Sequence, residues 1–428
     1  MRTEALNQGC FCISLDREAL RRAIEADRAA HGLSDLIAER CPNIFAALPV
    51  FVSREHVDAM AAVIRATEAV VALPAYRDTV LARSPAIARH DPRARGVFMG
   101  YDFHLGEQGP RLIEINTNAG GAMLNTLLAR AQRACCAEVA ALGSGAIEVT
   151  KLERRFTEMF EQEWRASGRS GSPSRIAIVD EAPAQQFLYP EFLLFAQLFR
   201  RHGIDAVVRA PEELAFEDGA LRDAQGRIDL VYNRLTDFSL EGSSGAALRA
   251  AYLADAVVVT PHPRAHALYA DKRNLALLTD PDRLAAWGVP GATIGILHRG
   301  IARTEVVSPS GAERLWAGRR SLFFKPAAGH ASKAAYRGEK ITRRVWSDVL
   351  AGSYVAQELV VPSERHTSAS VRMKLDVRNY AYAGEVQLLA ARLYQGQTTN
   401  MRTPGGGFAP VLTSAEKIAL PVNDLVCM

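Results

Sequence analysis

The chain has no stretch approaching the ~20 uninterrupted apolar residues that a membrane-spanning helix needs. Its first residues, MRTEALNQGCFCISLDREAL, carry neither the basic n-region nor the apolar h-region of a secretory leader, so a cytoplasmic protein is expected. Cysteine is scarce. The six present (Cys10, Cys12, Cys41, Cys135, Cys136 and Cys427) show no CxxC pair and no disulfide-scaffold density, which points to reduced, mostly buried thiols. Charge of one sign is lacking too: a formal net charge of +4 does not argue for nucleic acid or a membrane surface and leaves an acidic small substrate open. No GxGxxG follows a strand, no GxxxxGK[ST] loop is present, and His262 and His266 lack the third ligand that a zinc reading of their i, i+4 spacing would need. There is no internal repeat and no composition of extended disorder.

What is there is ordinary globular material: 428 residues, 48% hydrophobic and 23% charged, enough for several packed units. Residues 1–95 read as a helical N-terminal region, with apolar positions at helical spacing in LDREALRRAIEADRAAHGL and REHVDAMAAVIRATEAVVAL. Residues 96–165 read as two strands followed by a helix over AGGAMLNTLLARAQRACCAEVAAL, and ASGRSGSPS at 166–174 as a linker. RIAIVDE, a helix from about Ala184 to His202, GIDAVVRAP and RIDLVYNRL then make a small parallel α/β domain over 175–265. Residues 266–428 alternate a helix at DKRNLALLTD with the strands SLFFKPA, YVAQELVV, VRMKLDVRNYAYA and EVQLLAARLY.

The most informative stretch is PRLIEINTNAGG, which delivers Glu114 and Asn116 at i, i+2 of a short strand and therefore on one face. Asp102 ends another apolar stretch, and a hairpin closing at Gly106 to Gly109 brings its carboxylate alongside the other two. Two carboxylates and an amide oxygen suit magnesium, a hard cation that keeps water and takes further oxygens from phosphates.

A second constellation lies toward the C-terminus. Lys325 ends SLFFKP, and the following AAGHASKAAYRG, with Gly329, Ser332 and Lys333, offers small residues and cations to phosphate oxygens. Gln357 and Glu358 in YVAQELVVP present acceptors that suit an adenine amino group. Lys374, Asp376 and Arg378 alternate on one strand face with Arg392 on its neighbour, a pattern that reads either as an ion-pair ladder or as the wall of a triphosphate site. Asn400 and Gly405 to Gly407 form a polar turn able to close over it. Asn233, Arg234 and Asp237, and Tyr189 and Glu191, are polar at or after strand ends of the α/β domain, where ligands bind or helices are capped.

The order DKRNLALL, FFKPAAGHASK, YVAQELVVP, KLDVRNY resembles the nucleotide half of ATP-grasp enzymes. Because Asp102 and Glu114-Ile-Asn116 precede these elements, the order is similar to the circularly permuted ATP-grasp group that includes glutathionylspermidine synthase, over about 96–121 and 175–410. The resemblance implies an α/β (α+β) fold in permuted ATP-grasp order. It implies ATP and one or two Mg2+ as cofactors, Lys272 and Lys325 on the phosphates, loop 327–338 as a lid, Gln357 to Leu359 as the adenine hinge, and Asp102, Glu114 and Asn116 as metal ligands. Arg378 or Arg392 would stabilise the transferring group, and Asn233, Arg234, Asp237 and Asn400 would face the acceptor. Two departures stand out: Gly100 occupies the place of an Arg in that synthetase, and Thr-Asn-Ala-Gly-Gly follows Asn116 in place of Ala-Asp-Thr-Pro. The implied activity is ATP-dependent joining of a small-molecule or peptide carboxylate to an amine. A small-molecule kinase and a non-catalytic nucleotide-binding protein are the alternatives, and a homodimer is left open.

Overall fold

The computed structural model describes residues 3–11, 13–25, 32–134, 149–328, 334–368 and 371–414. Its largest sheet is seven-stranded and draws on distant parts of the chain, in the order Val50–Ser53, Gly407–Ser414, Glu385–Tyr394, Arg372–Tyr382, Met99–Gly106, Gly109–Asn116, with Glu364–His366 also on Arg372–Tyr382. The hairpin Met99–Gly106/Gly109–Asn116 turns at Gly109, whose φ of +97° suits a residue without a Cβ. Alternation does the rest. Tyr101, Phe103, Ile115, Leu375, Val377, Ala391 and Leu393 point to one face and join a buried cluster with Met60, Val63 and Ile64 of the helix Arg54–Val71. The Phe, Ile, Leu, Val and Met side chains among these each contribute roughly 1.5–3 kcal/mol by leaving water. Ser53 caps that helix by accepting from the His56 N–H.

The face opposite this cluster is polar at the Asp102 end and aromatic toward Tyr380 and Tyr382, which join a second cluster around Phe98, Phe156 and Phe195. That cluster includes Ile176, Ile178, Tyr232 and Val258 of a four-stranded parallel sheet, ordered Val258–Thr260, Leu230–Asn233, Arg175–Val179, Asp205–Arg209. A separate four-stranded antiparallel sheet holds Thr304–Val306, Tyr354–Glu358, Leu322–Pro326 and Tyr336–Arg337. It packs its own small core of Leu315, Phe324, Trp346 and Ala356.

Three readings from sequence change. The N-terminal stretch is not helical throughout, since Val50–Ser53 runs parallel to Gly407–Ser414 in the large sheet. The helix expected over residues 119–142 ends at Arg130, and Gln132–Ala134 leaves it to pair with Ile13–Leu15. The helix of the parallel domain spans Tyr189–Arg201 and starts later than expected. Among the described residues no helix is long and apolar enough to cross a membrane.

Candidate functional site

A β-bulge decides the site. Gly106 pairs with Gly109 and Phe103 with Leu112, but the register then shifts, so that Asp102 lies opposite Glu114 and Ile113 is the extra residue. Without the extra residue Asp102 would oppose Ile113, and Glu114 would stand on the other face of the sheet. The bulge also turns the Ile113 carbonyl toward the neighbouring sheet, where it accepts from Lys325 Nζ at 3.0 Å.

Asp102 is buried and spends its carboxylate on cations. Arg378 donates to both of its oxygens, at 2.6 and 2.7 Å, and Arg392 Nη2 and Asn116 Nδ2 reach Oδ2 at 2.8 and 3.0 Å. Burial alone would raise this carboxyl; the two guanidiniums hold it below the usual carboxylate range. Arg392 donates its Nε to Asp376 Oδ1 at 2.6 Å, and Asp376 has no exposed surface. The polar alternation is thus both an ion-pair network and a cavity wall.

Gly100 makes room for this network. A Cβ there would lie 2.6 Å from the Ala119 Cβ and 3.3 Å from Arg378 Nε. The space an Arg at position 100 would need is taken by Arg378, delivered from the adjacent strand.

Glu114, on the same face as Asp102, meets the lysines. Burial raises its carboxyl, but Lys272 and Lys325 outweigh that and, with a hydrogen bond from Asn116, hold it ionised below its ordinary value. Lys325 is pushed down to about 8 by burial, with Lys272 adding to the shift and Glu114 opposing it. Its ammonium also donates to Gln357 Oε1 at 2.8 Å, and Gln357 Nε2 donates to Thr304 Oγ1 at 3.1 Å. Gln357 therefore orients the lysine, and its side chain is not free for adenine. Glu358 is likewise engaged, with Arg111 at 2.7 Å. Lys272 begins a helix whose backbone is tied to the Lys325 strand by Lys272 N–H to the Ala327 carbonyl.

These groups converge on one cavity of about 250 Å³ between the seven-stranded sheet and the four-stranded antiparallel sheet. Asp102, Glu114, Asn116, Lys272, Lys325, Gln357, Glu358, Leu359, Arg378 and Arg392, all singled out from sequence, line it. Ile113, Phe323, Leu359, Val360 and Tyr394 supply apolar surface. His104 and Thr399 also line it and were not anticipated; His104 sits two residues from Asp102 on the same face, the spacing that would have marked it. Burial lowers the His104 pKa, and Nδ1 faces the Val360 carbonyl at 2.8 Å.

Other expected residues lie elsewhere. Asn233 is engaged with the Leu235 N–H and the Pro261 carbonyl, and Asp237 accepts from Ser239 and Gly242 N–H groups, so both hold local backbone. Asn400 accepts from Arg402 N–H and the Thr403 hydroxyl within its own turn. Glu191 caps the helix Ala122–Arg130 through the Gly121 and Met123 N–H groups. Arg234 is buried and donates to the Tyr232 hydroxyl, beside the Phe192 ring. His262 is structural: Nδ1 accepts from Ala265 N–H, Nε2 faces the Ala94 carbonyl, and burial lowers its pKa to about 4. Gly329, Ser332 and Lys333 lie outside the described residues.

No protein-family model matches the chain, and no curated protein matches it in sequence. Among solved structures, a glutathione synthetase-like effector from Globodera pallida matches 93% of this chain and 97% of its own, at a TM-score of 0.53 and 11% identity. The chain shares its overall fold with that protein. A protein described as a gamma-glutamylcysteine synthetase from Methylobacillus flagellatus is similar over 89% of this chain and 92% of its own, at a TM-score of 0.48 and 10% identity. An ATP-grasp ligase solved with a minimal peptide precursor, Mg and ADP is similar over 55% of this chain and 87% of its own, at a TM-score of 0.27 and 14% identity. In this fold the cavity lies between the sheet of Lys325 and the sheet of Asp102 and Glu114.

Proposed function

We propose that the protein is an ATP-dependent carboxylate–amine ligase working through an acylphosphate, with its ATP-grasp elements in circularly permuted order. The observation that carries this reading is the convergence of Lys272, Lys325, Arg378 and Arg392 with the ionised Glu114 on one cavity between two sheets. Four cations facing a cavity suit a polyphosphate, and phosphoryl transfer depends more on positioning and charge than on covalent help from protein. The order of elements supports permutation, since the strands 99–116 precede both lysines in sequence yet pair with 372–382 in space.

The donor set fits magnesium. Glu114 supplies a carboxylate, and Asn116, whose amide nitrogen is held by Asp102, supplies a carbonyl oxygen. Asp102 serves the same site indirectly, by orienting both guanidiniums. Magnesium bound there would neutralise charge on the β- and γ-phosphates and fix their geometry. Lys272 and Lys325 hold phosphate oxygens, while main-chain groups around Glu358 to Val360 and the apolar wall receive the adenine. Arg378 and Arg392 face the γ-phosphate as it passes to a substrate carboxylate, and an amine then displaces phosphate to leave an amide.

The assay is ADP release with ATP, magnesium and pools of amino acids, peptides and polyamines. A ligase needs both a carboxylate and an amine for full turnover. ADP release that one acceptor alone sustains would make the protein a kinase.

Lys325 gives the site a pH signature. Its depressed pKa leaves it largely neutral at pH 8.5 and charged at pH 6.5, and a neighbouring polyphosphate favours the charged form. Binding of ADP should therefore take up protons at pH 8.5 and none through this group at pH 6.5. Calorimetry in buffers of different ionisation enthalpy reads this directly. Equal heats across buffers at pH 8.5 would place the phosphates away from Lys325.

A further inference from the structure

We propose that Asp376 is a positioning residue that joins the polar loop carrying Thr399 to Arg392, so that the loop sets this guanidinium against the cavity. The inference rests on the nucleotide reading above. Asp376 has no exposed surface, and its two oxygens face different partners: Oδ1 accepts from Arg392 Nε at 2.6 Å and Oδ2 from the Thr399 hydroxyl at 2.5 Å. Arg392 Nη2 is held by Asp102 Oδ2 at 2.8 Å. A guanidinium has five N–H donors in a rigid fork. With Nε and Nη2 fixed by carboxylates, Nη1 is the nitrogen without a partner among the described residues, and Arg392 lines the cavity.

The loop is built to act as one piece. Asn400 Oδ1 accepts from Arg402 N–H and the Thr403 hydroxyl, Gln395 N–H donates to Thr403 Oγ1, and Asn400 Nδ2 returns to the Gln395 carbonyl. Gly396 and Gly405, at φ of +101° and +74°, flank it in conformations that residues with a Cβ rarely adopt. Gln397, Thr398 and Thr399 all line the cavity. Burial obliges the second oxygen of Asp376 to find a donor, and the donor it finds, the Thr399 hydroxyl, belongs to a cavity-lining loop, so the same carboxylate links that loop to the cation. A triphosphate touching the loop would therefore be felt at Arg392, and placing Arg392 would hold the loop.

The test compares full-length wild type with Thr399→Val, which keeps the shape and loses the hydroxyl, and Thr399→Ser, which keeps the hydroxyl. Dissociation constants are measured with magnesium for ADP and for the β,γ-imido analogue of ATP. Wild type and Thr399→Ser should prefer the triphosphate by about tenfold or more, the order of one charge-assisted hydrogen bond. Thr399→Val should bring the two constants within about threefold of each other by losing that bond, chiefly through weaker triphosphate binding. The triphosphate should also slow amide exchange across residues 395–406 in wild type and Thr399→Ser but not in Thr399→Val. A Thr399→Val protein that keeps the preference overturns the inference, as does one that loses affinity for both nucleotides equally. Wild type that binds neither nucleotide would overturn the ligase reading and this inference with it.

Discussion

Asp102→Ala is expected to lower folding stability by about 3–5 kcal/mol, the range for breaking a buried ion pair by removing one partner. The size follows from what is left behind. Arg378 and Arg392 are each about 8% exposed, and Asp102 takes two contacts from the first and one from the second. Arg392 would keep Asp376, whereas Arg378 would lose both of its charge-assisted hydrogen bonds. Asp102→Asn, which keeps the volume and one acceptor oxygen, should cost less. The sign of the pH dependence is fixed by the depressed folded-state pKa: the contribution is in full above about pH 4, the ordinary carboxyl value, and is lost only as pH falls through the folded value. Urea unfolding of the wild type and both variants at pH 7 measures it. An Asp102→Ala cost under about 1 kcal/mol, the scale of an exposed pair, would contradict the buried network.

Glu114→Gln is expected to reduce magnesium-dependent ATP turnover by about 10³-fold, the scale for removing a group that stabilises developing charge through a metal. The glutamine keeps the volume and loses the charge. It also removes the carboxylate that raises the Lys325 pKa, so the lysine falls further and the loss should be greater at pH 8.5 than at pH 6.5. ADP affinity measured without magnesium at pH 6.5 should change little, which separates a metal role from a general collapse of the cavity. Turnover within about tenfold of wild type would show that Glu114 is not a metal ligand, since a lost ligand removes several kcal/mol of charge stabilisation.

The contrast between these residues shows what was legible before any coordinates. The apolar stretches around residues 99–116 and the glycines between them announced a hairpin, and strand periodicity placed Arg378 and Asp376 on one face. The sharing of a face by Asp102 and Glu114 was not fixed by spacing, because it depends on one extra residue, Ile113, that no residue pattern announces. The partners of Asp102 were hidden for a related reason: its carboxylate had no distant cation to meet until the strand 372–382 was laid beside it. Gln357 has a partner that the sequence did not announce, because its side chain suits adenine or a lysine and only tertiary placement puts Lys325 in reach. Asn233, Asp237 and Asn400 belong to the residue types that most often satisfy their own backbone, and each does so. The helix expected to continue past Arg130 gives way at Gln132–Ala134, where pairing with Ile13–Leu15 overrides helix propensity, and residues 135–142 lie outside the described residues.

The central claim is that Glu114 and Asn116 hold a divalent cation against a nucleotide clasped by Lys272 and Lys325. The most direct measurement is a crystal structure of wild type grown with manganese and the β,γ-imido analogue of ATP, with Glu114→Gln treated identically. The account predicts an anomalous peak within coordination distance of a Glu114 carboxylate oxygen and the Asn116 carbonyl oxygen, phosphates on Lys272 and Lys325, and a weak or absent peak in the variant. A nucleotide bound outside this cavity, or a metal peak beside neither residue, would contradict it.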